Sequence, residues 1–221
     1  MSRAALLFDL DGTMLVSDPI HEAVFAEIWR EHGLEVEEDF YNTRVHGRLN
    51  IDIFSDFLPD HPDPVALGVE KEARYRERLP RPYPAMPGLS DLIALAQAND
   101  WALAVVTNAP RQNAEAMLEA IGLRNAFGVI ICGDECVRGK PDPEPYLEAM
   151  RELGVTPENS IAFEDSPSGI RAAHASGAFT IGIRSSLDDA TLRTAGADAS
   201  LIDFTDTALP GYLERLKGVS A

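Results

Sequence analysis

Ala4-Ala5-Leu6-Leu7-Phe8-Asp9-Leu10-Asp11-Gly12-Thr13 decides how the rest of the chain is read. An uninterrupted apolar run ends abruptly in two acids and a glycine. Strands buried on both faces look like this in parallel sheets, and ligands of open α/β sheets bind at the carboxyl ends of the strands. Working outward, four further runs have the same character: 101–106, Val129–Cys132, 160–163 and Phe179–Ile183. Helical patterns separate them at Leu89–Ala98, 110–121, 143–153 and 167–176, the last three stopped by Gly122, Gly154 and Gly177. This alternation predicts an α/β fold with a doubly wound parallel sheet.

One segment breaks the rhythm. Ser17-Asp18-Pro19 reads as a helix start, and Ile20, Val24, Phe25, Ile28 and Trp29 follow at helical spacing before Gly33. Residues 50–58 and 65–79 form two more helical patterns. The last carries Glu70-Lys71-Glu72-Ala73-Arg74-Tyr75-Arg76-Glu77-Arg78, which reads as a solvated face with i,i+4 pairs. The proline-rich stretch 80–87 returns the chain. The expected organisation is a core of 1–14 and 85–221, with a helical insert at 15–84 placed directly after the first strand. Trp29, Phe54 and Phe57 are expected to form the core of that insert.

The net charge is −17, from 36 acidic and 19 basic residues, with no Lys/Arg cluster beyond isolated pairs. Nucleic-acid binding rests on basic side chains, so the balance argues against it. No apolar run approaches the ~20 residues of a membrane span. The N-terminal apolar stretch runs straight into Asp9 and Asp11, which reads as a strand of a cytoplasmic protein rather than a leader. Cys132 and Cys136 lack two further soft ligands nearby and read as small reduced thiols.

The strand ends offer one coherent set of groups. Asp9 and Asp11 close the first, Thr107-Asn108 the second, and Glu164-Asp165-Ser166 the fourth, while Gly139-Lys140-Pro141 follows the third. Several carboxylates brought together repel one another, and a divalent cation removes that penalty. Carboxylate oxygens suit Mg²⁺, and a hydroxyl, an amide and an ammonium suit phosphoryl oxygens. In an acidic protein, a bound cation is also what would attract a dianionic substrate. Taken singly, each motif could be a turn, a helix cap or a solvated lysine; the argument rests on all four together.

In that order, Phe8-Asp-Leu-Asp-Gly-Thr13, Val105-Val-Thr-Asn108, Gly139-Lys-Pro-Asp-Pro143 and Phe163-Glu-Asp-Ser-Pro-Ser-Gly-Ile170 resemble the four motifs of the haloacid-dehalogenase-like hydrolases. The resemblance implies a Rossmann-like core with an inserted α-helical cap, similar to that of phosphoglycolate and sugar or polyol phosphate phosphatases. It further implies Asp9 as nucleophile and Asp11 as general acid and base. Thr107, Asn108 and Lys140 would bind phosphate. Mg²⁺ would be held by Asp9, Asp11 and Asp165, with Glu164 in contact or just behind. Burial on cap closure is expected to raise the Asp11 carboxyl.

On the cap, His21, Gly47, Arg48 and Asn50 are candidate substrate-facing residues. The expected partner is a small phosphorylated metabolite such as a sugar, polyol or glycolate phosphate, with no nucleic acid and no membrane. Three rivals stand beside this reading. Dehalogenases of the family lack the second aspartate of the first motif, which is present here as Asp11. A sugar phosphomutase similar to β-phosphoglucomutase shares the core, but its cap loop has arginine where this chain has Asn50. A non-catalytic receiver-like phospho-acceptor would be about half this length. Val16, where many relatives carry Asp, is a departure within the first motif.

Overall fold

The structure, a computed structural model, describes residues 3–45 and 48–217. In chain order the elements are β1 Ala5–Phe8, α1 Asp18–Glu31, α2 Asn50–Phe57, α3 Pro64–Arg78, α4 Leu89–Ala98, β2 Ala102–Thr107, α5 Arg111–Ala120, β3 Val129–Cys132, α6 Glu144–Leu153, β4 Ser160–Glu164, α7 Pro167–Ala175, β5 Phe179–Ile183, α8 Asp189–Ala195, β6 Ala199–Leu201 and α9 Leu209–Lys217. The six strands form one sheet in the order β3-β2-β1-β4-β5-β6, all parallel. This is the doubly wound α/β arrangement expected from the alternation of runs. The chain leaves β1 in one direction for β2 and β3, then crosses to β4 on the other side. Ligand crevices of open sheets open where the strand order reverses in this way.

Alternation along β1 explains why the centre of the sheet is dry on both faces. Ala5 and Leu7 join Ala104, Val106, Ala162, Ala172 and Ala173 on one face, where small side chains let α6 and α7 approach closely. On the other, Phe8 stacks on Phe163 with ring centroids 5.1 Å apart and meets Phe204 edge-on at 5.9 Å. Such ring pairs add about 0.5–1.5 kcal/mol beyond the area they bury. The residue after Phe8 is Asp9, so this packing fixes where its carboxylate begins. Gly154, at φ 67, closes α6 in the left-handed conformation that a side chain resists.

The sequence reading missed β6, α8 and α9. β6 spans only three residues, Ala-Ser-Leu, too few to show a period. α9 carries Pro210 and Gly211 at its start, which disguise it as a loop.

Contacts divide the chain into two compact units, Met1–Val16 with Arg81–Ala221, and Ser17–Pro80. The boundary differs from the expected 15–84. Tyr83 donates its N–H to the Ala120 carbonyl and its hydroxyl to the Val16 carbonyl, and Met86 N–H bonds to the Met14 carbonyl. These bonds tie the returning segment to the sheet unit from Arg81 on.

The helical unit is built around Phe25, Trp29 and Phe54, all buried, with Phe57 packed against them. The charged face of α3 is a correction to the sequence reading. Arg74 pairs with Glu70, Glu31 and Glu27, as a solvated ladder should. Lys71, Glu72 and Tyr75, however, are buried. Their charges sit one residue off the solvated row, on the face that turns inward. No described helix is long and apolar enough to cross a membrane.

Candidate active site

The site begins at the carboxyl end of β1. In the parallel register Phe8 stands opposite Val105 of β2 and Phe163 of β4, so Asp9 follows in line with Val106 and Glu164. Asp9 N–H extends the ladder to the Phe163 carbonyl at 2.9 Å. Backbone pairing alone therefore brings Asp9, Glu164 and the next residue, Asp165, to one place. One carboxylate oxygen from each lies within 4.8 Å of the others, and all three residues are buried.

Lys140 reaches into this group from the loop after β3. Its Nζ donates to Asp9 Oδ1 at 2.6 Å, to Glu164 Oε1 at 2.5 Å and to the Val106 carbonyl at 2.6 Å. An ammonium has three protons, and three acceptors take them. The loop itself is held by Asn108, whose side chain donates to the Lys140 carbonyl at 3.1 Å and accepts from the Lys140 N–H at 3.0 Å. That two-way bond ties the Asn108 side chain to the loop. Gly133 and Gly139 make room for it: a Cβ on either would stand 2.2 or 3.0 Å from Asn108 Oδ1. Thr107, buried at the end of β2, accepts from Ala109 N–H at 3.0 Å, which leaves its own O–H to donate.

Electrostatics set this group apart. Burial pushes the Asp9 carboxyl well above the ordinary carboxylate range, Glu164 and Asp165 push the same way, and Lys140 offsets this only in part. Burial also works against the charge of Lys140, but Asp9 and Glu164 outweigh it and hold the ammonium above its usual value. Three buried carboxylates thus cluster where one ammonium pairs with two of them.

The donor set fits a hard divalent cation such as Mg²⁺, because every group offered is an oxygen and negative charge is in excess. A glycine supports the fit. Gly12 turns at φ 73, and a Cβ there would lie 2.0 Å from Asp165 Oδ2, so the turn after Asp11 is shaped around that carboxylate. Asp11 itself is half-buried in this turn, its backbone bridged to Leu15. Asp9, Asp11, Thr107, Asn108, Lys140, Glu164 and Asp165 therefore fall within one compact unit, at the end of the sheet where the order reverses.

The residues predicted on the helical unit do not behave as one set. Gly47 lies outside the described residues. Arg48 forms an ion pair with Asp56 and donates to the Arg44 carbonyl at 3.0 Å. His21 and Asn50, by contrast, share a buried cluster that the sequence reading missed. Lys71 Nζ contacts His21 Nδ1 at 2.7 Å and Glu72 Oε1 at 2.8 Å, and Asn50 donates to the same Glu72 oxygen at 2.6 Å. Lysine can only donate, so His21 Nδ1 accepts in this contact. The ring lies flat on Tyr75, centroids 3.9 Å apart. Lys71, Glu72 and Tyr75 carried a usable signal: at spacings of three and four they continue the inward face begun by Leu67.

Elsewhere, Cys132 approaches Asp134 and Glu135, but Glu135 is taken by Arg111 at 2.6 and 2.5 Å. Burial also pushes the Cys132 thiol up to about 12. It is therefore held as a protonated thiol.

Sheet order and site define an acid-rich α/β enzyme core interrupted by a helical insertion. The chain belongs to the haloacid dehalogenase-like hydrolases, which it matches over residues 4–177. Among curated proteins it is 33% identical to the validoxylamine A 7'-phosphate phosphatase of Streptomyces hygroscopicus subsp. limoneus, covering 92% of this chain and 95% of that one. It is 30% identical to a phosphorylated carbohydrates phosphatase of Thermotoga maritima, covering 88% and 92%. Among solved structures, a HAD hydrolase of family IA, variant 3, from Entamoeba histolytica superposes with a TM-score of 0.86 at 26% identity, covering 97% of this chain and 99% of that chain. The chain is thus an enzyme of this hydrolase family, and the curated relatives it resembles are phosphatases.

Proposed function

We propose that the protein is a Mg²⁺-dependent phosphatase that hydrolyses a small phosphorylated sugar or polyol through a phospho-aspartyl intermediate on Asp9. One observation carries the reading: Asp9, Glu164 and Asp165 are buried together, and the ammonium of Lys140 pairs with the first two. Such a charge excess is costly unless the site's ligands complete it.

Asp9 is the nucleophile because it occupies the end of the central strand and has a carboxylate oxygen in contact with Lys140. When bound, Mg²⁺ would be held by Asp9, the Asp11 carbonyl and Asp165, with Glu164 in support, and would neutralise charge on the phosphoryl group. Lys140 then turns from balancing carboxylates to binding phosphoryl oxygens. Thr107 O–H and the Asn108 N–H supply further donors to the charge that develops in transfer. Asp11, two residues on in the turn after β1, is the group that protonates the leaving oxygen and afterwards takes a proton from the attacking water. The second step breaks the acyl-phosphate bond of Asp9 and frees both carboxylate and phosphate.

The sugar or polyol class rests on the named activities of the relatives above. Phosphate release from a panel of phosphate monoesters, with Mg²⁺ or with chelator, tests the proposal. Steady Mg²⁺-dependent release from sugar or polyol phosphates is expected, and its loss in Asp9→Asn. Undiminished release by that variant would overturn the assignment of Asp9. Interconversion of β-glucose 1-phosphate that depends on a bisphosphate activator, without net release, would favour the mutase instead.

A further inference from the structure

Two residues that the mechanism does not use converge on Glu164. Tyr146, on α6, is fully buried and donates its hydroxyl to Glu164 Oε1 at 2.9 Å, the oxygen that also binds Lys140. Its ring lies under the same ammonium, 5.2 Å from Nζ to centroid. From α7, Gly169 presents bare backbone: a Cβ there would lie 1.8 Å from Glu164 Oε1 and 2.1 Å from Oε2. The other oxygen, Oε2, faces the Asp165 N–H at 3.2 Å and the hydroxyl of Ser166 at 3.4 Å. Ser166 Oγ in turn caps α7 through the N–H of Gly169 at 3.0 Å.

We infer that Tyr146 and Gly169 act as a clamp that fixes the orientation of Glu164, assigning one of its oxygens to Lys140 and keeping the other on the Asp165 side. Both are positioning residues. The hydroxyl holds the carboxylate from one side, and the missing side chain leaves the space it must occupy. The consequence reaches two neighbours at once: Lys140 is aimed at the phosphoryl position, and the second Glu164 oxygen is kept beside Asp165. This rests on the phosphatase reading for its second half, the effect on turnover, and only on the carboxylate cluster for its first, the effect on cation binding.

Two variants press the clamp in different ways. Tyr146→Phe removes the hydroxyl and little else. Gly169→Ala suits a helix better than glycine does, and the nearest atoms its methyl would meet are those of the Glu164 carboxylate. Calorimetric titration of the metal-free proteins with Mg²⁺ is expected to show binding weakened roughly tenfold or more in both, as when the outer partners of metal ligands are removed. Circular dichroism should show both variants folded. Turnover should fall at low Mg²⁺ and recover as Mg²⁺ is raised, a rescue that a merely loosened fold would not give. If Tyr146→Phe fails to fold, Gly169→Ala still decides. Wild-type Mg²⁺ affinity and wild-type Mg²⁺ dependence of turnover in the folded variants would overturn the clamp. Wild-type protein that binds Mg²⁺, with both variants weakened, yet releases phosphate from no ester would leave the clamp standing and defeat the phosphatase reading instead.

Discussion

Among the described residues two lysines are buried, and they sit in opposite electrostatic situations. Lys140 on the sheet unit pairs with two carboxylates, Asp9 and Glu164, which have Asp165 beside them, whereas Lys71 on the helical unit pairs with one, Glu72, and contacts His21. The carboxyls respond accordingly. Asp9 is driven well above its ordinary range by burial and by its acidic neighbours. Burial pushes Glu72 upward too, yet Lys71, His21 and the hydrogen bonds from Lys71 and Asn50 more than reverse it, and its carboxyl lies below the ordinary value. Burial is common to both; the ratio of charges is not. A balanced cluster can exist for structure alone, while an unbalanced one is built for something that arrives later.

The comparison can be broken most severely at Asp9. Asp9→Asn should lower turnover by about 10⁴-fold or more, the scale seen when a covalent nucleophile is removed, while circular dichroism and melting show an intact fold. The two lysines come next. Lys140→Met and Lys71→Met should each cost about 3–5 kcal/mol in chemical denaturation, because each strands buried charge. Mg²⁺ should restore much of the loss for Lys140→Met and none for Lys71→Met. Equal responses to Mg²⁺ would erase the distinction between the clusters.

The smallest effect concerns acid. Glu72 titrates lower in the folded protein than its free value of 4.5, so its stabilisation is present above that pH and disappears as pH falls through the depressed folded value. Thermal melts from pH 6 to pH 3 should therefore lose a component in wild type that Glu72→Gln lacks. Identical pH profiles would show that Glu72 is not held ionised by its neighbours.

The sheet-unit site was legible because parallel strands announce themselves as apolar runs and because the register then aligns whatever follows them. Asp9, Glu164 and Asp165 needed only that rule. Asn108 was found by position, but its grip on the Lys140 backbone was not, since a side chain bonding a loop thirty-two residues away leaves no local pattern. Tyr146 looked like ordinary helix core, and Gly169 like any small residue in a helix. On the helical unit, Lys71 and Glu72 hid inside a run of charges whose other members are solvated. The pattern of apolar residues marks which face is inward; it does not say that a charged pair will be admitted there.

Thermal melting of the wild-type protein with and without saturating Mg²⁺ reaches the central claim most directly. At about 100 times its dissociation constant, a ligand that binds only the folded state adds about 2.7 kcal/mol. For a chain of this length that corresponds to roughly 5–10 °C. The account predicts a rise of that order, absent in Asp165→Asn and reversed by chelator. A melting temperature indifferent to Mg²⁺ would mean that the crowded carboxylates of the sheet unit need no cation, and the functional reading built on them would fall.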